Sequence, residues 1–155
     1  PGDVLFRANN DLCHENESGM FCTLFYGILD TETGEMIYAN AGHNPPYQVR
    51  PDGDASQIEP TGGIALGVMD EMPFETSTLI LSKGDSIYLY TDGVNEAMNE
   101  KDEEYSYERL EAFLTDSTEA SVSETVEASL DSVKVFAGTA PQSDDITVLI
   151  IKYVG

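Results

Sequence analysis

The stretch MFCTLFYGILDTETGEMIYANA, residues 20–41, reads as strand, tight turn, strand. An apolar, aromatic-rich run ends at Asp30. The turn-forming segment DTETGE follows, and EMIYANA returns as the second strand. Strands joined by so short a turn pair antiparallel, because a parallel pair needs a crossover of a dozen or more residues. The sheet to which this hairpin belongs is therefore antiparallel.

The rest of the chain extends that reading. Upstream, Val4, Leu5, Ala8, Leu12 and Cys13 recur at helical spacing, which predicts an amphipathic helix over 2–16, stopped by NESG. Downstream, Pro45, Pro46 and Pro51 predict a loop, a short edge strand near 46–50 and a PDGD turn. FETSTLILSKGDSIYLYTDG predicts strands at 74–81 and 86–91 joined by the turn SKGD. Helices are expected at 94–99, 106–115 and 121–137. The last would carry Val122, Val126, Leu130 and Val133 on one side and stop at Gly138. DDITVLIIKYV closes the chain as a strand. Early strands, then helices, then a final strand describe a layered α+β domain.

At 155 residues, with 41% apolar and 23% charged residues, the chain has the length and composition of one globular domain, residues 1–155. No apolar run is long enough to span a membrane, and no basic-then-apolar leader is present. Cys13 and Cys22 have no metal-ligand spacing and are expected as reduced thiols of a cytoplasmic protein. The net charge of −22 argues against nucleic acid or an anionic membrane as partner. Residues 92–132 alone hold 13 acidic and 2 basic residues. They read either as a solvated acidic face or as carboxylates that hold divalent cations. Asp52 and Asp54 hint at a calcium loop, but Gly63 stands where that loop needs a bidentate Glu. TGGIALGV lacks the Lys-Ser/Thr of a phosphate loop.

Two acidic places remain. Asp92 directly follows the strand SIYLYT and is followed by Gly93. Asp144 and Asp145 directly precede the last strand. Carboxylates at strand ends can converge on one sheet edge, and Mg²⁺ and Mn²⁺ prefer such oxygen ligands. Gly93 would allow close backbone approach. The plainer alternatives are a DG turn and a polar cap before a strand. His43, in AGHNPP, is either a turn residue or a general acid.

With MFCTLFYGILDTETGEMIYANAGHNPP, LSKGDSIYLYTDGVNEAMN and QSDDITVLIIK in this order, residues 1–153 resemble the PPM-type metal-dependent serine/threonine phosphatases. The resemblance is to their bacterial branch named after stage II sporulation protein E. It implies a β-sandwich flanked by helices and a two-metal Mn²⁺/Mg²⁺ centre that activates water against phosphoserine or phosphothreonine. By the same resemblance Asp92 and Asp144 are metal ligands, with Gly93 beside them and Asp145 a weaker candidate. The substrate would be a phosphorylated regulatory protein, similar to anti-anti-sigma factors, and a sensor or receiver domain would precede the phosphatase domain.

The family also carries a Gly-Asp-x-x-Asp motif whose Asp bridges the metals. The early candidate here, Asp3 in PGD, stands at a helix start and reads as a cap. The chain, which lacks an initiating Met, is thus expected to be a piece of a longer phosphatase, missing its first strands. It would be nearly inactive alone and able to self-pair through exposed sheet edges. The alternative is a catalytically silent interaction module of the same fold. A third option is a β-rich scaffold whose acidic surface only aids solubility.

Overall fold

The computed structural model describes residues 1–14 and 16–155. Along the chain run α1 (Gly2–His14), β1 (Leu24–Leu29), β2 (Glu35–Ala41), β3 (Tyr47–Val49) and β4 (Ala55–Gln57). After them come β5 (Ser77–Ile80), β6 (Ser86–Tyr90), α2 (Asp92–Asn95), α3 (Ser106–Asp116), α4 (Val122–Ala137) and β7 (Val148–Lys152). The class is α+β, with antiparallel sheets, as expected. Two compact units divide these elements: residues 1–45, 59–83 and 155 in one, and 46–58 and 84–154 in the other.

The first unit holds the sheet β1-β2-β5. The hairpin β1–β2 runs in register from Leu24 opposite Ala41 to Leu29 opposite Met36. Its turn is fixed by Asp30, whose carboxylate accepts the N–H groups of Glu32 (2.8 Å) and Thr33 (3.1 Å). Gly34 follows at φ +76°, a conformation that favours glycine. Those N–H bonds hold the Asp30 carboxyl below its usual range. Helix α1 buries Leu5 with Ala39, Ala41, Leu66 and Phe74. Its last described helical residue is His14, short of the expected 16; residue 15 lies outside the described residues. Asp3 sits inside the first turn rather than at the cap, since Val4 and Leu5 donate to the Pro1 carbonyl.

The second unit holds the sheet β4-β3-β6-β7. Two expectations change here. Strand β3 is interior, between β4 and β6, and not an edge. Pro45 and Pro46 precede it and Pro51 follows it, so no proline occupies a ladder position. Strands β5 and β6, adjacent in sequence, do not pair. Leu81 N–H is held by the Gly34 carbonyl beside the first sheet, and Gly84 N–H by the Tyr153 carbonyl beside the second.

Helix α4 carries the full capping box expected of an S-x-x-E start: Ser121 accepts the Glu124 N–H, and Glu124 accepts the Ser121 N–H. Its buried residues are Ser129 and Val133. Leu130, expected on the core side, is 39% exposed, so the inward stripe lies about one position away.

A tyrosine cluster fills the second unit. Tyr47, Tyr88 and Tyr90 are each at most 2% exposed, with ring centroids 6.1 Å (Tyr47–Tyr90) and 5.7 Å (Tyr88–Tyr90) apart. Burial pushes the Tyr88 phenol up to about 12, with its hydroxyl 2.5 Å from Ser129 Oγ. The Tyr47 hydroxyl accepts from Gln57 (3.2 Å), but among the described residues the Tyr90 hydroxyl finds no hydrogen-bond partner. A buried polar group left unpaired costs about 1–3 kcal/mol. Tyr90→Phe should therefore leave the protein at least as stable, with a gain of up to about 1 kcal/mol in a urea titration. A clear loss of stability would mean that a water or ligand satisfies this hydroxyl.

Candidate metal centre

Antiparallel pairing explains how two acidic segments distant in sequence come together. In the β6–β7 ladder Tyr90, the last residue of β6, stands opposite Val148, the first of β7. Residues just after β6 therefore lie beside those just before β7. Thr91 N–H bonds the Thr147 carbonyl at 3.1 Å and carries the pairing one step further. The Thr91 hydroxyl then joins the strands a second time: it donates to the Asp145 carbonyl (2.7 Å) and accepts from Thr147 N–H (2.8 Å). Sequence reasoning passed over Thr91. Its hydroxyl is spent on the partner strand, leaving the start of α2 without a side-chain cap.

Helix α2 begins at Asp92, earlier than the expected 94, and ends by Asn95. Gly93 is buried, and a Cβ built on it would come 2.6 Å from the Asp145 carbonyl oxygen and 3.0 Å from that of Asp144. The helix start is thus seated directly on the 144–145 backbone. Only a residue without a side chain fits there.

Asp92, Asp144 and Asp145 are all exposed. Asp92 Oδ1 accepts the next N–H at 3.0 Å, and Asp144 Oδ1 accepts its next N–H at 2.6 Å. No Lys, Arg or His among the described residues pairs with any of the three. Tyr107 shares this acidic neighbourhood: burial first, then the charges of Glu96 and Asp92, raise its phenol above the usual range.

His43 belongs to the other unit. There its backbone N–H donates to Asn40 Oδ1 (2.8 Å), its carbonyl accepts Asn40 Nδ2 (2.8 Å), and its Nδ1 lies 3.2 Å from the Thr23 hydroxyl. Asn40 is buried and anchored by its own N–H to Thr61. The two backbone bonds to Asn40 hold the turn at residues 40–43.

Exposed carboxylates on two adjoining segments, without a cationic partner among the described residues, fit a hard divalent cation in donor chemistry. In number they fit only one wall of a two-metal centre: among the described residues no group of three His, Cys, Asp or Glu could hold an ion.

A family model of stage II sporulation protein E (SpoIIE) matches residues 1–154. The chain belongs to the SpoIIE family. Phosphoserine phosphatase RsbU of Bacillus subtilis is 32% identical over 101 residues, 64% of this chain and 30% of RsbU. Among solved structures, the SiaA-PP2C domain of Pseudomonas aeruginosa shares the fold at TM-score 0.85 and 22% identity, over 99% of this chain and 61% of that one. So does the Mn-presoaked phosphatase domain of the cell fate determinant SpoIIE from Bacillus subtilis. That structure has TM-score 0.71 and 16% identity, over 100% of this chain and 66% of that one. The SpoIIE-family chain spans less than a third of the length of the curated relatives it matches. No helix among its described residues is long and apolar enough to cross a membrane.

Proposed function

We propose that residues 1–155 are a domain of a metal-dependent, cytoplasmic protein phosphatase that hydrolyses phosphoserine or phosphothreonine on a regulatory protein. The observation that supports this reading is the adjacency of the segments that carry Asp92 and Asp144, joined at the Thr91–Thr147 junction, in a chain of the SpoIIE family. Asp92 and Asp144 would hold Mn²⁺ or Mg²⁺, with Asp145 a weaker ligand. When bound, such an ion lowers the pKa of water and offsets phosphoryl charge. Gly93 lets the two acidic segments meet, and Thr91 fixes their spacing. The substrate is a phosphoprotein of the anti-anti-sigma-factor kind, and a sensor or receiver domain supplies the input. RsbU, by its name a phosphoserine phosphatase, supports that class.

Residues 1–155 alone, with two acidic segments and no third group found beside them among the described residues, should bind Mn²⁺ weakly and turn over slowly. The test compares this chain with the full-length protein on a phosphoserine peptide with added Mn²⁺. Turnover by the full-length protein and little by residues 1–155 is expected. Equal, rapid turnover would refute the incomplete-site reading, and no turnover by either would refute the phosphatase reading.

That no group of three such residues is found among the described residues also favours a second reading, a silent interaction module of the same fold. A further metal-binding Asp elsewhere in the full-length protein separates the two: its presence favours the enzyme, its absence the module.

A further inference from the structure

A cleft of about 400 Å³ opens beside the Asp92–Asp144 edge, within the second unit. Its lining is chiefly apolar: Ala97, Met98, Leu130, Val133, Ala137 and Ile146. Ala97 and Val133 are buried and form the floor, whereas Met98 (37% exposed) and Leu130 (39% exposed) stand at the sides. Gly93 and Ser143 close one end, so the cleft and the acidic edge share a wall. Gly138, at φ +62°, also belongs to the lining.

The mouth is held in shape by hydrogen bonds. Glu100 accepts from the N–H of Thr139 (3.0 Å) and its hydroxyl (2.5 Å), tying the loop after α4 to the loop before α3. Those bonds keep the Glu100 carboxyl below its usual range. At the opposite end, Gln142 Nε2 donates to the Asp144 carbonyl at 2.7 Å, within the stretch that leads to the acidic pair.

The charge around the cleft selects its occupant. Carboxylates adjoin the lining at two places, Glu100 beside Gly138, and Asp144 and Asp145 just after Ser143 in the chain, and Lys134 is the one cation in the lining. A second copy of this chain, at net charge −22, would be repelled. We propose that the cleft receives an apolar side chain of the phosphoprotein substrate, flanked there by Lys or Arg, while the phosphoserine lies at the Asp92–Asp144 edge. The proposal rests on the phosphatase reading above and names the substrate feature read beside the same site. A volume of this size admits a large aliphatic side chain, and burial of one in such a pocket discriminates by about 10-fold or more against a smaller one.

The experiment uses the full-length protein and phosphoserine peptides of Lys/Arg-containing background, with a single Leu walked residue by residue along both flanks. One Leu position should raise kcat/KM by about 10-fold over Ala, through KM rather than kcat. Ala140→Phe, which fills the cleft mouth from a half-buried loop position, should erase that preference. So should Leu130→Ser, which removes an exposed wall. Both variants should hydrolyse p-nitrophenyl phosphate at the unaltered rate. Replacing the Lys and Arg by Glu should weaken the preferred peptide. Absence of any preferred Leu position, or a preference that survives both variants, overturns the proposal. If the unaltered protein hydrolyses neither peptide nor p-nitrophenyl phosphate, the phosphatase reading has failed. The cleft is then judged by fluorescence anisotropy with the same peptides. Tighter binding of one Leu peptide to the unaltered protein than to Ala140→Phe sustains it; equal binding overturns it.

Discussion

Gly93→Ala should lower stability by about 1–3 kcal/mol, the usual cost of forcing a methyl group into filled space. The new Cβ would sit 2.6 Å from the Asp145 carbonyl oxygen and 3.0 Å from both the Asp144 oxygen and the Asp145 carbonyl carbon. All three are backbone atoms, so no side-chain rotation relieves the clash. Either α2 lifts from the 144–145 segment or that segment moves. The Thr91 hydroxyl bonds to Asp145 and Thr147 then lengthen as well. Gly27→Ala is the control, because the nearest atoms to its Cβ are side-chain ones, Met36 Sδ at 3.0 Å and Phe25 Cε1 at an ordinary 3.5 Å, and a thioether can rotate away. Urea titrations of the two variants should differ clearly in midpoint. Equal midpoints would show that the 144–145 backbone yields freely, and the rigid wall assigned to Gly93 would be lost.

That clash also shows where sequence reasoning succeeds and where it stops. The hairpin turn was legible because Asp30, Thr33 and Gly34 act on their own neighbourhood through bonds of two to four residues' reach. The helix α4 was legible from its apolar spacing and Gly138, and its start is fixed by bonds of equally short reach between Ser121 and Glu124. By contrast, β3 was misplaced at an edge because its second neighbour, β6, arrives from far along the chain. No local signal announces a partner at that separation. SKGD looked like a hairpin turn for the same reason: local chemistry gives a turn but does not say which sheet each flanking strand joins. Leu130 fell on the wrong side of α4 because Ser129 takes the buried position opposite the Tyr88 hydroxyl. A polar residue that satisfies a buried phenol hides from any pattern built on apolar spacing. At the candidate site, Asp92, Gly93, Asp144 and Asp145 were legible as strand-boundary residues. Thr91 was not, since a threonine ending a strand is ordinary until its hydroxyl bonds across the junction are seen.

Asp92→Asn and Asp144→Asn should each lower the Mn²⁺ affinity of the full-length protein by at least about 100-fold, more than changes outside the ligand shell usually cost. Asn keeps the shape and can still accept the following N–H, as each Asp does now. A loss of affinity therefore reports charge at the ion rather than a broken turn. Stability gives an independent readout of opposite sign. Without metal, each exposed carboxylate has no cationic partner among the described residues to lose, so removing either charge should leave the metal-free protein no less stable. With Mn²⁺ at about 100 times its dissociation constant, the unaltered protein should gain about 2.7 kcal/mol while either variant at that concentration gains far less. The double variant decides whether one ion is shared. If Asp92 and Asp144 hold the same cation, changing both costs little more than changing either. If they act separately, the losses add. Unchanged Mn²⁺ affinity in both single variants would return Asp92 to the turn and Asp144 to the cap that each could have been.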